Sequence, residues 1–186
     1  MKHYIRETPA PSCNPGIPRH HDVVVVGGGM SGLVAAMASA RQGADTLLIQ
    51  DRSVLGGNAS SETRMHISGA SCHRGKRDAA ETVILMELQL ENKRLNDSYN
   101  YSLWDGVLWH AARKEPRLTL MLNTTMYQVS SDGRRIAGIQ CYQMNTEKRF
   151  SVTGKIYLDC TGNGTLGYYA GAEYAVGREA AHEYGE

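Results

Sequence analysis

The residues best placed to do chemistry fall in three short stretches. Gly27-Gly28-Gly29-Met30-Ser31-Gly32 gives a Gly-x-Gly-x-x-Gly spacing, Gln50-Asp51-Arg52 leads into Leu55-Gly56-Gly57-Asn58, and Asp159-Cys160-Thr161-Gly162-Asn163-Gly164 lies near the end. The first spacing suits a backbone that turns sharply and lies against a phosphate. Gly27 permits the turn, Gly29 leaves the main chain bare for a pyrophosphate, and Gly32 lets the next helix pack close to the strand. A helix opening at Met30 and Ser31 presents unpaired N–H groups and the positive end of its dipole to an anion. The spacing is common on its own, and a glycine-rich turn without a ligand is the plain alternative. Its position directly after an apolar run and before a helix gives it weight.

A dinucleotide site expects an acid for the ribose hydroxyls about twenty residues further on, at the end of the second strand. Gln50 stands there and accepts only through its amide oxygen. Asp51 follows one step later, on the other face of an extended strand. A solvated loop position is the alternative for either. Arg52 would attract a 2′-phosphate, but Asp51 beside it repels one, which argues against NADP.

Val23 to Val26 is a run of β-branched residues without polar alternation, as in a strand buried on both faces of a parallel sheet. Leu33 to Gln42 is Ala-rich and helix-favouring, Gly43 is a helix stop, and Thr46 to Ile49 is a second buried strand. Together they make a right-handed β-α-β unit. Helices are expected over Ala79 to Leu95 and Leu103 to Lys114, the latter starting near Trp104 and Asp105 and stopped by Pro116. Strands follow over Leu118 to Val129, Ile136 to Tyr142 and Arg149 to Thr153, and Lys155 to Cys160 reads as a buried strand returning to the sheet. The predicted fold class is α/β: a Rossmann-like parallel sheet with a three-strand antiparallel crossover and a helical insertion. Residues 1–21 read as an extended, Pro-rich arm and 22–186 as the dinucleotide-binding domain.

The stretches 27–32, 51–58 and 159–164, with Leu55 to Glu62 reading Leu-Gly-Gly-Asn-Ala-Ser-Ser-Glu, resemble the bacterial FAD-dependent oxidoreductases of the glutathione-reductase-like superfamily, which has two dinucleotide-binding domains. The resemblance covers nearly the whole chain from Asp22 onward. Gln50 departs from it, since many relatives carry Glu there. It implies FAD as cofactor, with the Gly56-Gly57-Asn58 loop passing the pyrophosphate and Thr161-Gly162 ending a strand beside the FAD; an ordinary strand-to-helix turn is the alternative. It also implies that the backbone near Met126 edges the adenine, although a core methionine is the simpler reading.

In such proteins the chain after Asn58 runs toward the flavin ring. If Glu62 to Ser68 is extended, Glu62, Arg64, His66 and Ser68 share one face. His66 is then a candidate base, and Arg64 a candidate to hold an anionic substrate or reduced flavin. A half-buried strand with its polar face in water is the alternative. The function implied is hydride transfer from a small-molecule substrate to flavin. A nicotinamide-dependent dehydrogenase and a non-catalytic dinucleotide-binding fragment are the other readings. The resemblance further implies that the substrate domain is absent here, so that a C-terminal portion or a second subunit completes the site. The tyrosines Tyr168, Tyr169, Tyr174 and Tyr184 are expected to have few partners of their own and to meet that further protein.

Composition narrows the rest. The chain has 186 residues, 20 basic and 19 acidic, with a net charge of +1 and no basic stripe, which argues against nucleic acid. No apolar run is long enough to span a bilayer. The cysteines Cys13, Cys72, Cys141 and Cys160 stand singly, without metal or dithiol spacing, and no histidine pair has ligand spacing, so no metal is expected. Free thiols and the lack of a secretory signal suggest the cytoplasm. That leaves the sequons, Asn58 among them, unglycosylated.

Overall fold

The computed structural model describes residues 16–72 and 82–185. Strand β1 (Ile17–Val26), helix α1 (Met30–Arg41) and strand β2 (Thr46–Ile49) form the expected β-α-β unit. Two helices follow, α2 (Val83–Leu95) and α3 (Tyr101–Lys114), then strands β3 (Leu118–Met121), β4 (Thr124–Ser131), β5 (Ile136–Gln143) and β6 (Lys148–Asp159) and helices α4 (Thr165–Ala170) and α5 (Ala181–Tyr184). One six-stranded sheet runs β3-β2-β1-β6-β5-β4. β3, β2, β1 and β6 are parallel, while β5 is antiparallel to both β6 and β4.

Alternation along β1 divides the core in two. Val23 and Val25 join Leu48 and the buried residues of α1, α2 and α3, among them Leu33, Met37, Leu88 and Leu108. Val24 and Val26 join Leu47 and Ile49 against Met126, Ile139, Cys141, Phe150, Val152 and Leu166. Chain length shows how the second cluster forms. β3 and β4 lie at opposite ends of the strand order, yet only Leu122 and Asn123 separate them. Five strand spacings of about 4.8 Å make roughly 24 Å. Three chain steps reach about 11 Å at most. The sheet therefore folds over, and its antiparallel half covers the second face of the parallel half. Asn123, at φ +51°, makes the turn.

Several boundaries differ from the sequence expectation. Ile17 to His21, assigned to the arm, are the first half of β1 and pair with Phe150 to Gly154 of β6; Gly16 precedes the strand, and 1–15 of the arm lie outside the described residues. The two strands expected at 149–153 and 155–160 are one strand, β6, which pairs with β5 at its start and with β1 along its length. Gly154 does not break it. The bare Cα there admits Val24, whose Cγ2 would lie 2.7 Å from a Cβ. The second half of β6 is less buried than expected, with Ile156 56% exposed. Leu118 to Val129 is two strands, not one. α3 starts at Tyr101 because the Asn100 side chain accepts hydrogen bonds from the N–H groups of Ser102 and Leu103. α2 starts at Val83; 79–81 of the expected helix lie outside the described residues. Of the late tyrosines, Tyr168, Tyr174 and Tyr184 are exposed, and Tyr168 makes edge-to-face contacts with Tyr169 and Tyr174, at 5.6 and 5.1 Å between ring centroids.

Helix α1 meets the end of β1 at Gly32. A Cβ there would lie 1.8 Å from the carbonyl oxygen of Gly27. Gly32→Ala is therefore expected to lower stability by about 1–3 kcal/mol through forced overpacking. Thermal denaturation of the variant checks this, and an unchanged Tm would refute the close approach.

Candidate functional site

A cavity of about 720 Å³ opens at the carboxyl ends of β1, β2 and β6. That is where ligands collect in open α/β sheets, and the size suits a small-molecule or cofactor site. Its walls include Gly27, Gly29, Met30 and Ser31 from the first loop and helix start, and Gln50, Asp51 and Arg52 from the end of β2. Gly56, Gly57 and Asn58 come from the next loop, Met126 from β4, and Thr161 and Gly162 from beyond β6. Gly32 is the one candidate of the glycine motifs that does not line it, being packed against Gly27.

The glycine loop is closed on one side and open on the other. Gly27 has φ +103°, and a Cβ there would press on the Cys160 carbonyl oxygen at 2.3 Å. Around Gly29 a Cβ would meet nothing within 4 Å. Gly29 is also the N-cap of α1 and offers no side chain to its first turn. The open space thus lies where the free N–H groups point.

The second loop is locked onto the first. Gly56, at φ +103°, donates its N–H to the Gly28 carbonyl at 2.9 Å and forms a bridge with Gly29. Leu108 of α3 packs beneath Gly56. Asp105, one turn earlier on α3, accepts the Ser61 N–H at 2.9 Å. By sequence Asp105 is a helix-start residue; its contact across the fold carries no local signal.

The Gln50 amide is also engaged with backbone. Its oxygen accepts the Gly28 N–H at 2.7 Å and its nitrogen donates to the Val54 carbonyl at 3.1 Å. Asp51 is exposed and faces the cavity. Arg52 reaches Glu62, 3.4 Å away, and both line the cavity.

The segment from Glu62 to Ser68 is not extended as expected. Thr63 lies in a turn and Arg64 has φ +62°, so the backbone reverses there and the alternation of faces is lost. Glu62, Thr63, Met65, His66 and Ile67 line the cavity and Arg64 does not. The Arg64 Nε donates to the Ser61 carbonyl at 3.1 Å, and its own carbonyl accepts the Tyr101 hydroxyl at 2.8 Å. Met126 answers to both of its readings, being buried in the second core cluster while lining the cavity. Thr124 and Thr125, just before Met126, also line it. They arrive because the Gln50 carbonyl accepts the Thr124 N–H at 2.8 Å and the Arg52 carbonyl that of Asn123 at 3.0 Å.

The third stretch is organised by Asp159. One carboxylate oxygen accepts the N–H and hydroxyl of Thr161 at 3.0 and 2.7 Å, and the other accepts the Gly167 N–H at 2.8 Å. The Thr161 hydroxyl in turn accepts the Thr165 N–H at 2.7 Å. Gly162 is left with open space around it. Burial, and then the Asp159 charge, push the Cys160 thiol up, against a smaller opposing pull from a Ser31 hydrogen bond. The thiol is therefore protonated at neutral pH and a poor nucleophile. Among the described residues no group of three or more His, Cys, Asp or Glu could hold a metal, and no helix is long and apolar enough to cross a membrane.

A family model with the description FAD dependent oxidoreductase matches residues 22–186. Solved structures of similar fold include THI4 of Thermovibrio ammonificans, at 22% identity and TM-score 0.55, with 83% of this chain and 64% of that one covered. A geranylgeranyl bacteriochlorophyll reductase-like protein of Thermoplasma acidophilum matches at 18% identity and TM-score 0.53, covering 84% and 43%. The myxobacterial chondrochloren halogenase CndH, a variant of FAD-dependent halogenases, matches at 18% and 0.52, covering 78% and 38%. At such identities the likeness speaks for the fold alone. The chain spans less than two thirds of the length of each of these proteins. No curated protein matches the sequence.

Replacing Asp159 by Ala is expected to free the turn from Thr161 to Gly167 at a cost on the order of 1 kcal/mol or more. Faster amide exchange at Thr161 and Gly167, with β1 unchanged, is the expected pattern. Unaltered protection at both amides would show that the carboxylate does not hold the turn.

Proposed function

The chain belongs to the FAD dependent oxidoreductase family, whose cofactor is FAD, and on that premise we propose that the cavity at the strand ends holds the ADP half of FAD. The observation that carries this is the open space at Gly29, in a loop otherwise packed shut against Gln50, Leu55 and Cys160. A pyrophosphate fits there: the Met30 and Ser31 N–H groups stand at the positive end of α1, and the Gly56-Gly57 loop, bridged to Gly29, forms the adjoining wall. Met126 and its neighbours on β4 border the adenine, and Thr161-Gly162 borders the chain toward the flavin.

When bound, the flavin supplies the electron chemistry, accepting hydride from a small-molecule substrate. The residues here bind and orient it. His66 lines the same cavity and is the candidate to take a substrate proton. Arg64 drops out of that role, since its side chain lies outside the cavity. On its motifs the chain falls in the glutathione-reductase-like superfamily. The flavin and substrate ends of the site are completed by further protein, in keeping with the share of its relatives that the chain spans.

Gly29→Asp tests the placement. A Cβ there meets no protein atom within 4 Å, so stability should change by no more than about 0.5 kcal/mol. The new side chain does occupy the pyrophosphate position and adds a negative charge. The unsubstituted protein should purify with, or take up, FAD and show flavin absorption bands, and the variant should lose them at an unchanged Tm. Full flavin occupancy in Gly29→Asp would place the phosphates elsewhere.

A further inference from the structure

We infer that Gln50 is a positioning residue, a neutral clip joining the two glycine loops, and that Asp51 is the residue that reads the adenosine ribose. The inference rests on the FAD reading above.

The Gln50 side chain is buried, 5% exposed, and its amide is used at both ends. The Gly28 N–H donates to its oxygen and its nitrogen donates to the Val54 carbonyl. The Gly56 N–H then returns to the Gly28 carbonyl. These bonds form a closed circuit between the loop that opens α1 and the loop that carries Gly56 and Gly57. The circuit needs one donor and one acceptor on a single planar group. Gln has both, while an ionised Glu has acceptors only and would set a buried lone pair against the Val54 carbonyl. The side chain cannot swing out to a ligand without emptying this site. Gly28 is already so close that a Cβ there would lie 2.9 Å from the Gln50 Cβ and 2.8 Å from Leu55 Cδ2.

Asp51 is placed in the opposite way. It is exposed, lines the cavity, and among the described residues its carboxylate has no protein partner. Its neighbour Arg52 is engaged by Glu62. The other titratable side chains on the cavity are His66 and Cys160. A carboxylate accepts two hydroxyl hydrogen bonds, which is the chemistry of a ribose diol. The chain has therefore divided between neighbours the two tasks that a single acid at the strand end would have to combine.

Substitutions of Gln50 and Asp51 in the full chain separate these roles. FAD affinity is read by flavin fluorescence titration, with ADP as competing probe, from about pH 8 down to about pH 5. Gln50→Ala and Gln50→Glu should each bind about tenfold or more weakly at the upper pH, from loss of a buried hydrogen bond. Burial raises the pKa of the new Glu, and its protonated form restores the donor toward Val54. Affinity of Gln50→Glu should therefore recover as pH falls, and that of Gln50→Ala should not. Asp51→Ala should bind about tenfold or more weakly, with amide exchange at Gly28 unchanged. Gly28 exchange should accelerate in Gln50→Ala without any cofactor, which tests the clip even if Gln50→Glu does not fold. Native affinity of Gln50→Glu at the upper pH, native affinity of Asp51→Ala, or unchanged Gly28 exchange in Gln50→Ala would each overturn the inference. An unsubstituted chain that binds neither FAD nor ADP would instead overturn the functional reading, and Gly28 exchange would still judge the clip.

Discussion

The contact on which the rest depends is the approach of Gly32 to the Gly27 carbonyl. It seats the start of α1 directly over the ends of β1 and β6, with no room for even a methyl group between them. From it follow the direction of the helix dipole, the exposure of the Met30 and Ser31 N–H groups, and the burial of Leu33 and Met37 against Val23 and Val25. A looser contact would widen the core and swing the free N–H groups away from the cavity. Packing and anion binding are thus consequences of one steric fact.

The cavity walls come from distant parts of the chain because of a second constraint, the short link between β3 and β4. Folding the sheet over brings Thr124, Thr125 and Met126 beside the end of β2. The backbone hydrogen bonds from Asn123 and Thr124 to Arg52 and Gln50 fasten that seam. The side of the site proposed for adenine is therefore a product of sheet curvature.

Local features were legible in the sequence: the β-α-β unit, the glycine spacing, the Gly56-Gly57 loop and the Thr161-Gly162 turn all rest on short-range chemistry. Where the structure differs, contacts across the fold or a turned backbone decide the matter. Gly154 looks like a break between strands until Val24 is seen to fill the space above it. Arg64 looks like one of an alternating set until the turn reverses its backbone. Gln50 looks like a poor substitute for an acid until Gly28 and Val54 are found on either side of its amide. Asp105 and Asp159 look like ordinary helix-start and strand-end residues, yet Asp105 holds a distant loop and Asp159 the turn that follows it. For Gly154, Gln50 and Asp105 the deciding partner lies far along the chain, outside the window that periodicity and turn signals survey; for Arg64 and Asp159 it is a local turn.

The long strand β6 bears on how the protein is made. His20 and Thr153, partners across β1 and β6, are 133 positions apart in the chain. During synthesis the four consecutive valines of β1 emerge well before the neighbour they pair with in β6. Until β6 arrives, one side of a strongly apolar strand has no native partner. Contacts of such separation slow folding, and an unpaired run of this kind is prone to associate with other chains. The same pairing that closes the finished sheet thus leaves the nascent chain dependent on shielding until β6 leaves the ribosome.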